Sequence, residues 1–358
     1  DMLKTFKLLS FTAIVLCSAD DDPFFPFKRT YRWKSIVLDD KQNTLNKIST
    51  TENAYLKTVC GRSRITGLRT ERSMNSIPAA NEDFPWAGQL YCEGPSVRNN
   101  LCGATIISKR HAITATHCVF KKEFNNCVFY YGGNCGSNSA TGENNCDFNM
   151  KTVKVRSVVF DGDWNDSYWH ADLAVVEFAE ELEFSVNHVA PICVQKNQKT
   201  IPEITVVSGF GKVDLQGTSS KKLRYFVGTT RSQPFCPTVF DLSLPNCDFL
   251  LMMEASGRLT NTTGTIRGGL QKTPTAVAQS GDSGSGIIGV PNDGPLILLG
   301  PMSGVKWNQD QYGADIRKYS TWLCQQTGVC DTADQSAVTS ATTQKPTTTK
   351  PSSPCHNS

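Results

Sequence analysis

Histidine is scarce in this chain, five among 358 residues, and beyond the N-terminal region no apolar run is long enough to span a membrane. The second absence argues against a membrane anchor. Basic and acidic residues nearly balance, 36 against 33 for a net charge of +3, and no basic stripe is interleaved with aromatics. Nucleic acid is therefore set aside as a partner. Long 3.6-residue periodicity is also missing, which excludes a helical bundle. Instead, short apolar runs alternate with glycine-rich turns from Phe84 onward, among them Gly88–Cys92, Cys102–Ile107, His111–Ala115, Lys151–Phe160, Leu173–Val176, Ile204–Gly211, Leu223–Val227 and Leu296–Gly300. This pattern predicts an all-β barrel or sandwich. The one helical segment it predicts is Ile316–Gln326, with Ile316, Tyr319 and Leu323 on its apolar face and Gly328 just past its end.

Both ends read as something other than a folded domain. Residues 1–19 carry Lys4 and Lys7, an apolar run from Leu8 to Leu16, and the small residues Cys17-Ser18-Ala19, the layout of a secretory signal. Residues 20–64 are polar, with Phe24, Phe25, Phe27, Tyr31 and Trp33 clustered, and read as a propeptide or extended arm. Residues 331–358 form a Ser/Thr/Pro-rich tail with almost nothing to bury, which predicts disorder. The domain proper is predicted over 65–330.

Cysteine, by contrast, is abundant, and 13 of 14 remain once Cys17 leaves with the signal. That number in an exported chain predicts disulfides and a secreted, extracellular protein. The odd one out falls most naturally to Cys355 in the tail. Cys127, Cys135 and Cys146 stud an Asn- and Gly-rich insert with no histidine nearby, so disulfides are favoured over zinc. Asn165-Asp166-Ser167 and Asn261-Thr262-Thr263 are acceptors for N-glycosylation.

Three short segments carry chemistry: Ala115-Thr116-His117-Cys118, Asp172-Leu173-Ala174-Val175 and Gly281-Asp282-Ser283-Gly284. More than 160 residues separate His117 from Ser283, so only tertiary structure can unite them. If it does, Ser283 becomes a nucleophile, His117 its base, and Asp172 the group that orients the base. Such chemistry requires neither a metal nor a cofactor.

Together with Phe84-Pro85-Trp86-Ala87, Cys102-Gly103-Ala104-Thr105, Gly209-Phe210-Gly211 and Tyr319-Ser320-Thr321-Trp322-Leu323, these segments resemble the chymotrypsin/trypsin-like serine peptidases. The likeness runs from about Cys60 to Cys324, and its long loops and Ser/Thr tail look like the divergent secreted branch abundant in nematodes. It implies two six-stranded antiparallel β-barrels with a C-terminal helix and a catalytic cleft between them. It also implies endopeptidase activity through His117, Asp172 and Ser283, with the N–H groups of Gly281 and Ser283 as oxyanion hole. By the same likeness Cys102–Cys118, Cys60–Cys193 and Cys236–Cys247 pair, while Cys92, Cys127, Cys135, Cys146, Cys324 and Cys330 are left unassigned. Activation by a second protease would cut Arg64–Ile65 and send the new N-terminus to Asp282. Arg72-Ser73 fits the family spacing better but lacks the apolar residue. Partners would be protein or peptide substrates and serine protease inhibitors. The rival reading is a non-catalytic homologue serving as a binding or immune module.

Departures from the family pattern bear on specificity. Val277, Ser303, Val305 and Gly313 stand at specificity-pocket positions, and Val277 replaces the aspartate that pairs with basic substrates. Val305 replaces an entrance glycine, so preference for small or medium neutral P1 residues is implied. Asp310 and Asp315 are the acidic residues that could reverse it. Gln279 replaces a cysteine whose usual partner near Trp307 is also missing, and Ser285 and Gly286 replace a glycine and a proline.

Overall fold

In Lys151–Asp161, Val153 and Val155 alternate with exposed Thr152 and Lys154, so the segment lays one face on a core and turns the other to water. In the computed structural model this is one of sixteen described strands: β1 (Ser35–Val37), β2 (Ile77–Pro78), β3 (Ala87–Cys92), β4 (Asn100–Ile106), β5 (His111–Thr114), β6 (Val128–Tyr131), β7 (Lys151–Asp161), β8 (Ala174–Phe178) and β9 (Ile204–Gly209), then β10 (Arg224–Thr230), β11 (Leu250–Ala255), β12 (Leu259–Thr260), β13 (Gln271–Lys272), β14 (Gly286–Gly289), β15 (Ile297–Val305) and β16 (Gln311–Ala314). The structure describes residues 35–37, 44–63, 76–80, 82–92, 100–120, 127–136, 148–161, 172–185, 187–195, 201–212, 220–230, 250–255, 259–260, 271–272, 278, 280–305 and 311–331.

Two sheets close on themselves. In the first the order is β7-β6-β3-β4-β5-β8, and β7 also bonds β8, which completes a six-stranded antiparallel barrel with β1 added along β7. In the second, β11-β16-β15-β14-β9-β10 closes through β10–β11, with β2 added along β10. Closure pairs the strand edges that an open sheet would leave available to other chains. Trp86, Ile106, Ile113, Phe129, Val159 and Val176 fill the first barrel and its surroundings. Val207, Phe226, Ile287, Leu299 and Met302 form a second buried group beside the Cys60–Cys193 disulfide.

The helix α3 (Ile316–Thr327) ends where the sequence suggested, with Gly328 at φ 76°. Asp315 accepts from Arg317 N at 3.1 Å and pairs with the Arg317 guanidinium, so it serves as the helix N-cap. A second helix was not anticipated. Thr50–Val59 forms α1, opened by a capping box in which Glu52 N donates to Ser49 Oγ at 3.1 Å and Ser49 N to Glu52 Oε2 at 2.7 Å. The signal was present, Ser49 followed three residues later by Glu52, but no strong apolar stripe accompanied it. A buried Asn53 docks the helix. Its Nδ2 donates to Cys330 O at 2.9 Å, and its Oδ1 accepts from Cys330 N at 3.1 Å. Ile48 N donates to Thr327 O at 2.8 Å, and the Cys324–Cys330 disulfide holds the backbone that Asn53 contacts. This part of the N-terminal arm is thus packed into the molecule.

The arm also reaches a polar cluster under β5. Ser108 Oγ accepts from Arg110 N at 3.1 Å and His111 N at 3.0 Å, so its own proton goes to His111 Nδ1 at 2.9 Å. His111 is then the neutral tautomer protonated at Nε2. Burial, followed by the charge of Arg110, pushes its pKa down to about 3, against the opposing influence of a hydrogen bond with the Asn46 backbone. Across the strand pair, buried Glu177 is engaged by Arg156 and by Asn46 N. In the unfolded chain His111 titrates near 6.5. Below that pH the unfolded state binds the extra proton, so stability declines as pH falls from about 6.5 to about 3, by at most about 1.4 kcal/mol per unit from this residue. Urea unfolding of His111→Phe across this window is expected to show a shallower acid loss than the wild type. Equal slopes would exclude His111 as a source.

Candidate active site

The strand β5 feeds directly into a single helical turn, α2 (Thr116–Val119), which carries His117 out of the first barrel. The Cys102–Cys118 disulfide ties that turn to β4. Asp172 lies just ahead of β8, the hydrogen-bonded neighbour of β5, so barrel pairing brings the two residues together. His117 N donates to Asp172 Oδ1 and His117 Nδ1 to Asp172 Oδ2, each at 2.9 Å, and Asp172 is fully buried. A carboxylate that accepts at Nδ1 fixes the proton there, so Nε2 is the ring nitrogen that can accept another. His117, Cys102 and Cys118 group their donor atoms closely, but both sulfurs are in the disulfide and offer no thiolate to a metal.

The third segment is bound from both barrels. From the first, Gly103 N donates to Ser283 O at 2.7 Å, while Thr114 Oγ1, three residues before His117, donates to Gly103 O at 2.8 Å. From the second, Gly284 N donates to Met302 O and Met302 N to Ser285 O, both at 2.8 Å. Asp282 is buried and accepts from Gly211 N at 2.8 Å. A Cβ on Gly211 would lie 2.4 and 2.5 Å from the two carboxylate oxygens, so only glycine fits there. Gly281 has φ 101°, the left-handed region that turns the chain into Ser283 without side-chain strain. Among the described residues neither Gly281 N nor Ser283 N donates a hydrogen bond.

Beside the turn, Ser303 is buried on β15, and β16 pairs alongside with Gly313 opposite Met302. Val305 lies on β15 opposite Gln311. Asp315, capping α3, is committed to Arg317 and is not a pocket carboxylate. Val277, Asp310, Arg64, Ile65, Cys236, Cys247, Asn165 and Asn261 lie outside the described residues. Two participants had no sequence signal. Tyr312 on β16 has its phenol pushed up to about 12 by burial and then by the charge of Asp172, which places a second-barrel side chain in the field of the first-barrel carboxylate. Gln311, fully buried, accepts from Ala278 N at 3.2 Å. Cys92–Cys127 and Cys324–Cys330 supply pairings the sequence left open.

Two closed six-stranded barrels with a His–Asp pair in one and a glycine-framed serine turn held between them define the architecture of chymotrypsin-like proteins. A model of the trypsin family matches residues 74–323, and the chain belongs to that family. It is 26% identical over 189 residues to a venom serine protease of Polistes dominula, covering 51% of this chain and 64% of that protein. It is 25% identical over 262 residues to the CLIP domain-containing serine protease B4 of Anopheles gambiae, covering 68% and 69%. To human transmembrane protease serine 11B it is 26% identical over 196 residues, covering 52% of this chain and 41% of the relative. No helix among the described residues is long and apolar enough to cross a membrane.

The Asp282 cradle makes a direct prediction. Gly211→Ala forces the carboxylate or the turn to move and is expected to cost about 1–3 kcal/mol, the usual overpacking range. It should also reduce labelling of Ser283 by a fluorophosphonate. Wild-type stability and labelling in this variant would show that the carboxylate does not sit against Gly211.

Proposed function

We propose that this protein is a secreted serine endopeptidase that hydrolyses peptide bonds through an acyl-enzyme on Ser283. The observation that carries the reading is the pair of 2.9 Å hydrogen bonds from His117 to buried Asp172. They hold the imidazole as the Nδ1–H tautomer a general base requires, next to a serine turn bound to Gly103. In this mechanism His117 takes the Ser283 proton as Oγ attacks the scissile carbonyl, and returns it to the leaving amine. Asp172 stabilises the imidazolium, and Gly281 N and Ser283 N stabilise the oxyanion. Water then repeats the sequence to release the acid product. Secretion is supported by the N-terminal signal pattern and by the disulfides. Partners would be protein or peptide substrates, serine protease inhibitors and an activating protease.

Activation is proposed at Arg64–Ile65, with the Ile65 ammonium pairing with buried Asp282. The Cys60–Cys193 disulfide would keep the arm attached afterwards. One experiment tests both parts. The processed protein should be labelled by a fluorophosphonate at Ser283, Asp172→Asn should slow turnover by roughly 10⁴-fold, and the labelled chain should begin at Ile65 after reduction. Absence of labelling beside an active control would favour a non-catalytic homologue, and a different first residue would move the activation site.

For specificity, the family likeness assigns Val277 to the position of the aspartate that pairs with basic substrates, and valine offers no partner to a buried ammonium or guanidinium, whose desolvation is heavily penalised without one. Small or medium neutral P1 residues are therefore proposed. A peptide library profiled at P1 is expected to show these preferred over Lys and Arg. Strong cleavage after basic residues would mean that another carboxylate, with Asp310 the nearest in sequence to β16, serves the pocket.

A further inference from the structure

The segment that enters the serine turn has a firm downstream end, where Gly103, Gly211 and Met302 all hold it through hydrogen bonds of 2.7–2.8 Å. Its upstream end has lost the usual covalent anchor, because Gln279 stands where the family likeness expects a cysteine. Ala278, immediately before it, is buried. Its N–H therefore needs an acceptor inside the protein, since an orphaned buried donor is strongly disfavoured. The acceptor is a side chain: Ala278 N donates to Gln311 Oε1 at 3.2 Å.

Gln311 is an unusual residue to find there. It is the first residue of β16, fully buried, and lies in register with Val305 on β15. The Ala278 donor fixes the orientation of its amide, oxygen toward Ala278 and nitrogen away. Nε2 then has no hydrogen-bond partner among the described residues. An apolar residue would avoid burying that nitrogen but would strand the Ala278 N–H. The retained glutamine is thus explained by the bond it makes to the segment, since burial alone would favour an apolar side chain.

Resting on the reading of Ser283 as nucleophile, we propose that Gln311 is a positioning residue for substrate recognition. Its hydrogen bond fixes Ala278 against β16, upstream of the point where Lys212 N donates to Ser280 O at 3.0 Å, and beside the position where the family likeness expects a disulfide. The segment and β15–β16 then form two sides of the recess beside the serine. Loosening the upstream end changes the width of that recess while the downstream bonds keep Ser283, Gly281 and Asp282 in place.

The test compares Gln311→Met, which keeps length without the acceptor, with Gln311→Glu, which keeps an oxygen facing Ala278 N. Active sites are counted by fluorophosphonate titration, and kinetics are measured on a P1 peptide panel. The methionine variant is expected to raise KM about tenfold with kcat within about threefold, and to flatten the P1 profile. The glutamate variant restores the acceptor and should recover KM for neutral P1 peptides, while its added carboxylate shifts the profile toward Lys and Arg. A merely structural role would lower the titrated fraction and the melting temperature but leave KM and the profile of the remaining active molecules unchanged. That result would overturn the proposal. Hydrogen exchange on the unaltered protein needs no variant: the Ala278 amide should be protected, and exchange at the rate of an unstructured amide would also overturn it. If the unaltered protein is not labelled at Ser283, the peptidase reading fails, while the exchange measurement still decides whether the tether exists.

Discussion

A carboxylate with no solvent exposure at the edge of a barrel is the constraint around which this molecule is arranged. Asp172 can remain charged only if its oxygens are paired, and removing a partner from a buried charge costs about 3–5 kcal/mol. Both of its described hydrogen bonds come from one residue, His117, through backbone and ring. The histidine turn must therefore sit at one height and one rotation relative to β8. The β5–β8 pairing sets the height, and the Cys102–Cys118 disulfide opposes displacement of the turn. The geometry of the His117–Asp172 pair and barrel stability are thus one requirement in the first barrel, and the imidazole tautomer follows from it.

The second barrel solves a similar problem with a different means. Asp282 is also buried, but a backbone N–H meets it in a space that glycine alone leaves open. Around it the serine turn hangs from four backbone hydrogen bonds, to Gly103, Lys212 and twice to Met302, and from the Ala278–Gln311 contact. Among the described residues the disulfide beside the site lies on the histidine side, and the serine side is held by hydrogen bonds. The 2.7 Å bond from Gly103 N to Ser283 O shows how closely the two halves approach.

Legibility in the sequence followed the range of the interactions. Eight of the sixteen described strands could be read because an apolar run bounded by turn residues is a local signal, and α3 because its apolar face and terminal glycine are, whereas β1, β2, β6, β11 to β14 and β16 were not read. The His, Asp and Ser segments stood out in the sequence by local turn chemistry, His117 beside a cysteine and Ser283 framed by glycines, and two hydrogen bonds join His117 to Asp172. The helix α1 was missed although Ser49 and Glu52 announced it, because its anchor is a buried asparagine rather than an apolar stripe. Gln311 could not have been found: its meaning lies in a register between β15 and β16 and in a backbone donor on a separate segment. Cys92–Cys127 was equally closed to sequence, since only the β3–β6 pairing makes those residues neighbours.

The difference between the two halves has a functional logic. If His117 acts as the proposed base, it gains from covalent anchoring, since its positional error enters the proton-transfer distance directly. A recess that admits side chains of different size gains from anchors that yield and re-form, because a net protein hydrogen bond contributes only about 0.5–1.5 kcal/mol. A disulfide between the entering segment and β15 would forbid that adjustment. Exchange of the bridge for a buried glutamine therefore does more than remove a crosslink. On the proposed reading it shifts control of the substrate-facing wall from a fixed covalent length to a contact weak enough for a bound substrate to compete with, while the downstream bonds at Gly103, Gly211 and Met302 hold Ser283 in place.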